Sequence, residues 1–588
     1  VIINRGFVPI FSRIYLLAHS VTAGCITFAL LVTSALAEDS VPIPRQRPGY
    51  DIPIVPPTIY ESVPDRNSSA SDFVPVPDRW RMFYAGKWYD PYNQNILKGD
   101  LPVFGSPGHE WFFKLDLISE TRVQRSKVAF PVGISSTVKP GRINTLGNGM
   151  LSGVVQNVIT RASLIRGNTT FKPPEYEIRI TPVFSFNRFQ TNETGVLNIN
   201  PSRGRTRNDD HIGFLELFGD LHLLDISDRY DFISSRFGIQ EFQSDFRGFI
   251  YSDSAPGIRF FGNIDDNKFQ WNLAWFSRLD KDTNSGMNTF DTRHEDVFIA
   301  NLYHQDTLVL GHQLQASLIY RDDRAGNHGF HYDNNGFLRR PASIGDERPK
   351  NISSGYLSFN GDGHFDRINT TTSVNYAFGT ESHNPIAGRR QNIEAFMVAQ
   401  EFSYDLDWIR FRTSAFWASG DKDPFDSKAQ GFDAIFDNPN FAGGDLSFWQ
   451  SQGIPFIGGG EVFLTNFNSL LPNLRAGKEE GQSNFVNPGL RLVNLGVDFE
   501  LSPTLKLITN ASYLQFDQTA VLETLRQDGS YDREIGYDLS AGLLYRPFMT
   551  NNIQFRFGTA ALIPGKGLRN TYGDNTLYNF FGDMILEY

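Results

Sequence analysis

From Trp111 to the terminal Tyr588 apolar and polar residues alternate at period two, in stretches of about ten residues set apart by turn-forming residues. Trp111 to Ser119 reads WFFKLDLIS, which puts Phe113, Leu115 and Leu117 on one face and Lys114 and Asp116 on the other. Similar stretches follow near 162–171, 176–188, 211–223, 230–240, 257–263, 268–279, 296–305, 311–322, 351–360, 366–378, 392–404, 408–419, 490–500, 504–516, 535–546, 552–563 and 577–588. They predict about 18 strands, give or take two, each oily on one side and wet on the other.

The connections alternate in length. Short links fall at 173–175, 264–267, 360–365, 405–407, 502–503 and 547–551, and long ones near 129–161, 190–210, 280–295, 323–350, 379–391, 420–489, 517–534 and 564–576. This phase predicts an all-β fold, a transmembrane antiparallel up-and-down β-barrel with short periplasmic turns and long extracellular loops. An even strand count then places both termini on the periplasmic side.

Length and composition agree with a wall that grows by adding strands. A chain of 588 residues is too long for one soluble core, whereas a barrel has no such limit. The 51 Phe and 22 Tyr suit strands and membrane interfaces. Past the leader no run of about 18 apolar residues occurs, so any membrane crossing must be made by strands. With a net charge of -11 and no long basic run, the chain is not expected to bind nucleic acid.

Residues 1–37 read as a signal peptide, with Arg5 and Arg13, an apolar run from Ile26 to Val32, and Ala35-Leu36-Ala37 before Glu38. A lipoprotein reading of Cys25 is weaker, because the apolar run continues past it. Cys25 is the only cysteine, so the mature chain is expected to lack disulfides, thiolate chemistry, cysteine metal sites and covalent haem. Residues 38–77 are Pro-rich and read as a periplasmic tether, residues 78–110 as an aromatic-rich cap or plug, and residues 111–588 as the barrel.

In the last stretch, LYNFFGDMILEY, Tyr578, Phe580, Met584, Leu586 and Tyr588 share one face, with Asn579, Asp583 and Glu587 on the other. It resembles the C-terminal assembly signal of bacterial outer-membrane barrels. That resemblance implies the outer membrane as location, and its lipid and the barrel-assembly machinery as partners. If the apolar faces meet lipid, then Lys114, Arg179, Arg278, Arg410, Arg412, Lys506 and Arg556 line an enclosed channel. Such a set favours anions in transit, unless lumenal acids such as Asp116, Glu177 and Asp538 neutralise it. Spacing leaves these alternatives open.

Residues 418–437, ASGDKDPFDSKAQGFDAIFD, follow the strand that ends at Trp417. Through Ser419, Gly420, Asp421, Asp423, Pro424, Phe432 and Asp433 this stretch resembles the alginate-export family of outer-membrane barrels. The resemblance implies passive movement of an anionic polysaccharide or small solute through an arginine-lined pore. The extension 38–110 departs from a simple porin. Two other classes compete with this channel reading. One is the barrel sheath of a porin–cytochrome conduit, with a multihaem or other periplasmic partner; the other is an outer-membrane enzyme such as a lipid hydrolase.

No catalytic or cofactor motif supports an enzyme: GxSxG, Walker, dinucleotide and HExxH patterns do not occur at suitable places. Asp280, Asp282 and Asn284 alternate as ligands of a calcium loop do. Ser285, however, stands where an EF-hand needs Gly, and no glutamate follows at the twelfth place. No metal or cofactor is expected.

Overall fold

The structure is a computed structural model and describes residues 96–588, apart from 107–108, 131–145, 147, 168–172, 230, 327–328, 458–460 and 528. The expected leader 1–37, tether 38–77 and most of the segment 78–110 lie outside the described residues.

The sheet contains twenty strands, two of which are short additions, Lys98–Phe104 and Lys428–Ala429; the other 18 form a closed antiparallel ring. In chain order they are β1 (Trp111–Ala129), β2 (Asn148–Arg166), β3 (Tyr176–Thr191), β4 (Thr206–Asp225), β5 (Phe232–Gln243), β6 (Ser252–Ile264), β7 (Phe269–Lys281), β8 (Asn288–His304), β9 (Gln313–Asp323), β10 (Ile352–Phe365), β11 (Ile368–Glu381), β12 (Gln391–Leu406), β13 (Ile409–Ala418), β14 (Leu490–Ser502), β15 (Leu505–Phe516), β16 (Glu534–Tyr545), β17 (Ile553–Pro564) and β18 (Leu577–Glu587). Each pairs with its neighbours in sequence, and β1 meets β18 from Ile118↔Glu587 to Lys127↔Tyr578. The strand Lys98–Phe104 lies along β1 just beyond this seam, and Lys98 Nζ sits 3.9 Å over the Tyr588 ring.

Outward positions carry exposed apolar side chains, among them Ile178, Ile180, Phe184 and Phe186 on β3, Ile258 and Phe260 on β6, and Val493 and Leu495 on β14. Such a belt is stable in lipid and costly in water, so the barrel crosses a membrane with its strands. At the ends with short turns Leu308, Leu310, Trp408, Phe548 and Met549 are exposed, as side chains at a membrane interface are. Single-chain barrels with an even strand number and this loop asymmetry belong to the bacterial outer membrane.

Several strands run past the expected boundaries. β1 and β2 shrink the first outer connection to 130–147, and β7 and β8 leave only 282–287 where a long loop near 280–295 is expected. The physical reason lies in the outward residues there: Thr121 and Arg125 on β1, and Thr292 and His294 on β8, are polar. Beyond the lipid both faces of a strand are wet, so the ladder continues while the alternation stops. On the periplasmic side, 360–365 is the end of β10, and the turn is Asp366–Arg367.

One irregularity decides which side chains face inward on β4. Pro182 on β3 has no N–H to give to the ladder, and opposite it the pairing jumps from Thr181↔Glu216 to Pro182↔Phe214, leaving Leu215 as a bulge. Parity changes across the bulge: Ile212 faces out before it and Leu217 after it, while Glu216, Phe218 and Asp220 turn inward and are buried.

The lumen is filled largely by the chain itself. The described residues of 419–489 fold inward, and Phe432, Phe448, Trp449, Phe456 and Phe485 are fully buried among them. Burial of such side chains contributes roughly 1.5–3 kcal/mol each. The shorter connection 244–251 also turns in, and Asp245 accepts hydrogen bonds from the backbone N–H groups of Arg247, Gly248, Phe249 and Ile250. The two inward segments join where the Ile435 N–H donates to Ile250 O at 3.0 Å and the Asn438 N–H to Gly248 O at 2.9 Å.

The stretch 418–437 launches the long segment. The Ser419 hydroxyl donates to Gln430 O at 2.7 Å, and the Asp421 carboxylate accepts the N–H groups of Asp423 and Gln430. Gly420 approaches the Pro488 carbonyl so closely that a Cβ would collide with it. Inside, Arg475 makes a two-pronged pair with Asp433, with Nε to Oδ2 and Nη2 to Oδ1 both at 2.8 Å, and both side chains are fully buried.

Asp433→Ala leaves the Arg475 guanidinium buried without its counter-charge, a loss of about 3–5 kcal/mol. The expected outcome is trypsin cleavage within 419–489 while the barrel keeps its heat-dependent gel shift. Protease resistance equal to that of the unmodified chain would show that the pair does not hold the segment.

Burial pushes the Asp421 carboxyl up to about 7, helped by the neighbouring Asp426 and Asp423 charges and opposed by its backbone donors. A carboxyl raised in the folded state stabilises fully below its unfolded value of about 3.9, and the contribution is lost as pH rises through the folded value. The turn 419–430 is therefore expected to open more readily at pH 8 than at pH 5. Hydrogen exchange corrected for the intrinsic rate measures this, and Asp421→Asn is expected to flatten the pH dependence.

Candidate pore and its lining

All seven cations expected in the channel lie at inward positions, and each meets a carboxylate. Near the periplasmic end Lys114 pairs with Asp116 at 2.9 Å, and Arg179 with Glu177 at 2.6 Å and Glu216 at 3.1 Å. Arg410 pairs with Asp405 at 2.5 Å and Arg412 with Asp498 at 2.7 Å, while Lys506 reaches Glu500 at 2.9 Å. Arg556 bridges Asp583 on the wall and Asp445 of the inward segment, both at 2.7 Å.

Arg278 differs from the others because it is buried in the outer half rather than exposed to the lumen. Its Nε donates to Asp253 and its Nη1 to Glu295, both at 2.8 Å. Lys281, Arg293, Arg321 and Asp323 complete this cluster. The cluster holds the inward segment through its main chain: Arg293 donates to Glu479 O at 2.8 Å and to Gly481 O at 2.7 Å. Asp538, a candidate partner for the arginines, instead accepts the N–H groups of Phe448 at 3.2 Å and Trp449 at 2.6 Å.

Two cavities stand open beside the inward segments. The outer one, about 640 Å³, runs from Thr283–Gly286 in an external connection to Arg122, Asp583 and Arg556, past Lys478 and Glu479 of the inward segment. The inner one, about 550 Å³, lies toward the periplasm and is lined by Arg247, Glu401, Arg410, Arg412, Asp445 and Asp498, among others. Arg556 lines both, so they adjoin at its guanidinium. The structure thus brings Arg410, Arg412 and Arg556 together, whereas Lys114, Arg179, Arg278 and Lys506 border neither cavity.

The junction is an alternating set of charges. Arg122 Nε stands 3.6 Å from Asp583 Oδ1, and the guanidinium lies 4.5 Å over the Phe581 ring. Arg556 holds the other Asp583 oxygen and reaches across to Asp445. The wall gives way here to admit the segment: a Cβ on Gly542 would lie 2.7 Å from Leu446 Cδ2. Both cavities are balanced in charge. The inner one has four basic residues (Arg247, Arg410, Arg412, Arg556) and four acids (Asp362, Glu401, Asp445, Asp498). The outer one has three basic residues (Arg122, Lys478, Arg556) and three acids (Glu120, Glu479, Asp583).

Sequence reasoning missed Arg122, Arg247 and Asp445. Arg122 follows from the parity of β1 once the strand is known to continue past Ser119. Arg247 and Asp445 sit on inward connections, which have no period to place them. The calcium-like stretch is already satisfied by protein groups: Asp280 pairs with Arg340 at 2.9 Å, and Asp282 accepts from Ser285 N at 2.9 Å and from Asn334 Nδ2 at 2.5 Å. On β18, Tyr578, Phe580, Met584 and Leu586 are at outward positions, and Asn579 and Asp583 at inward ones.

No family model matches the chain, and no curated protein matches it; the alginate-export family is not shown. Among solved structures, the chain is similar to OccK2 (OpdF) of Pseudomonas aeruginosa in complex with glucuronate, with 10% identity and a TM-score of 0.42 over 81% of this chain and 97% of that one. It is also similar to the outer membrane protein opdK of Pseudomonas aeruginosa, with 9% identity and a TM-score of 0.42 over 81% and 98%. A third is OccAB3 of Acinetobacter baumannii, with 11% identity and a TM-score of 0.43 over 81% and 99%. These likenesses concern the barrel and leave the solute to the chain's own residues.

Proposed function

We propose that the chain is a passive outer-membrane channel for small polar solutes, which pass through the two lumenal cavities and the Arg556 junction. The observation that carries this reading is the arrangement in series: a cavity that starts among the external connections and one that faces the periplasm share the guanidinium of Arg556. Cavities of about 640 and 550 Å³ suit small solutes better than a polymer threaded through an open bore.

An anion preference from a positive lumen does not follow, because every expected cation has an acid partner and both cavities balance. At the junction the cations Arg122 and Arg556 stand on the wall and Asp445 on the segment facing it. A field across the path orients polar solutes while attracting neither sign strongly. The sheath reading for a cytochrome partner loses support for another reason: the bore such a partner needs holds residues 419–489.

Planar-bilayer conductance of the purified full chain tests the proposal. Discrete channels with chloride and potassium permeabilities of similar size are expected, and barrels that insert without conducting would overturn it. Asp445→Ala frees one arm of Arg556 and removes one lumenal acid. It is expected to raise conductance and to shift the chloride-to-potassium permeability ratio, read from the reversal potential, severalfold toward chloride, whereas Arg556→Gln is expected to shift it toward potassium.

A further inference from the structure

The outward face of β1, β2 and β3 changes character just above the apolar belt. Pairing sets Arg125 opposite Ser152 and Ser152 opposite Gln190. One row lower, Val123 faces Val154, Val154 faces Arg188, and Arg188 faces Asn208. Lys127 follows Arg125 on the same face, its Nζ 6.0 Å from the centre of the Tyr578 ring. Arg125 and Arg188 are exposed, as are Val123, Phe184 and Phe186 below them. Counted from Phe113 on β1 and Ile178 on β3, the two arginines lie roughly 25–30 Å up the tilted wall, at the top of an apolar band about 25 Å tall.

These three cations have no acid beside them. Elsewhere on the outer rim Arg324 pairs with Asp296 at 2.7 Å and Asp322 at 3.0 Å, Arg491 with Asp517 at 2.7 Å, and Lys428 with Glu394 at 2.8 Å. Among the described residues no carboxylate lies within 4.0 Å of Arg125, Lys127 or Arg188. The outward acid Asp210 on β4 faces Phe186, one row below Arg188. Uncompensated cations fixed at the level where lipid headgroups begin are complementary to an anionic headgroup. Arg125 and Arg188 are two strands apart and two residues out of step, about 12 Å at Cα, so each can take a phosphate of its own. Ser152 stands between them, and Gln190 and Asn208 beside them; a hydroxyl and two amides are suitable partners for sugar hydroxyls.

We propose that this face binds the headgroup of an outer-leaflet glycolipid that carries two phosphates on a disaccharide. Arg125, with Lys127, takes one phosphate and Arg188 the other. The sugar lies across Ser152 and Val154, and the acyl chains run down past Val123, Phe184 and Phe186. A glycerophospholipid, with one phosphate and no sugar, does not span the two arginines. The assignment depends on the wall's crossing of the membrane and not on conduction through the lumen.

The test uses the purified full chain in detergent, with EDTA to remove bridging divalent cations and native mass spectrometry to count bound lipid. Bisphosphorylated lipid A is expected to bind at one copy per barrel, in preference to phosphatidylglycerol. Arg125→Gln and Arg188→Gln are each expected to weaken that binding about tenfold, the loss of one charge-assisted contact. Monophosphorylated lipid A is expected to bind the unmodified chain as weakly as the bisphosphorylated form binds either variant. Asp210→Asn is expected to tighten binding, and Arg324→Gln, which removes a cation already answered by acids, to leave it unchanged. Heat-dependent gel migration confirms that each variant is folded.

Equal binding of lipid A by the unmodified chain and both arginine variants overturns the site. Phosphatidylglycerol bound as tightly as lipid A also overturns it, by showing a general attraction for anionic lipid. Displacement of lipid A by an excess of inorganic phosphate does so as well, since the arginines then capture a free anion and not a headgroup.

Discussion

Inside a bilayer no water is available to satisfy a peptide group, so every N–H and C=O along a spanning strand must find its partner in another strand. That requirement closes β18 onto β1 over ten register pairs, from Ile118↔Glu587 to Lys127↔Tyr578, and makes the wall a ring without an edge. Alternation follows from it: once each strand is fixed in the ring, its side chains point by turns to lipid and to lumen. The apolar belt and the charged interior are two faces of one constraint.

A ring of 18 strands encloses more space than its own inward side chains fill. Residues 419–489 occupy it with an apolar core, and the polar groups left over are used to fasten that core to the wall. The Arg278–Asp253–Glu295 cluster does this on one side, and Asp538 does so through the amides of Phe448 and Trp449 on the other. Removing one member of a buried ionic cluster costs far more than forming the cluster contributes. The inward segment therefore behaves as part of the wall, and the residual path is as narrow as that packing allows.

The strands were legible in the sequence because their alternation is imposed by lipid, which acts on every strand alike. β13, with Phe411 outward and Arg410 and Arg412 inward, follows from alternation alone. Legibility stopped where lipid stops: the outer half of β8, with Thr292 and His294 outward, carries no apolar stripe and read as a loop. The bulge at Leu215 was hidden for a related reason, since Pro182, which causes it, lies on the neighbouring strand. The candidate path was legible only in its wall. Arg556 follows from parity, but its partner Asp445 lies in a segment of irregular backbone, where position depends on packing and not on period.

The way Arg293 grips the inward segment has a bearing on how such a protein changes over generations. It binds carbonyl oxygens of Glu479 and Gly481, and a carbonyl is present whatever the side chain. Drift at position 479 can thus remodel the passage, which its side chain borders, without loosening the anchor beneath. Recognition by backbone separates the freedom to vary a selective surface from the need to keep it in place.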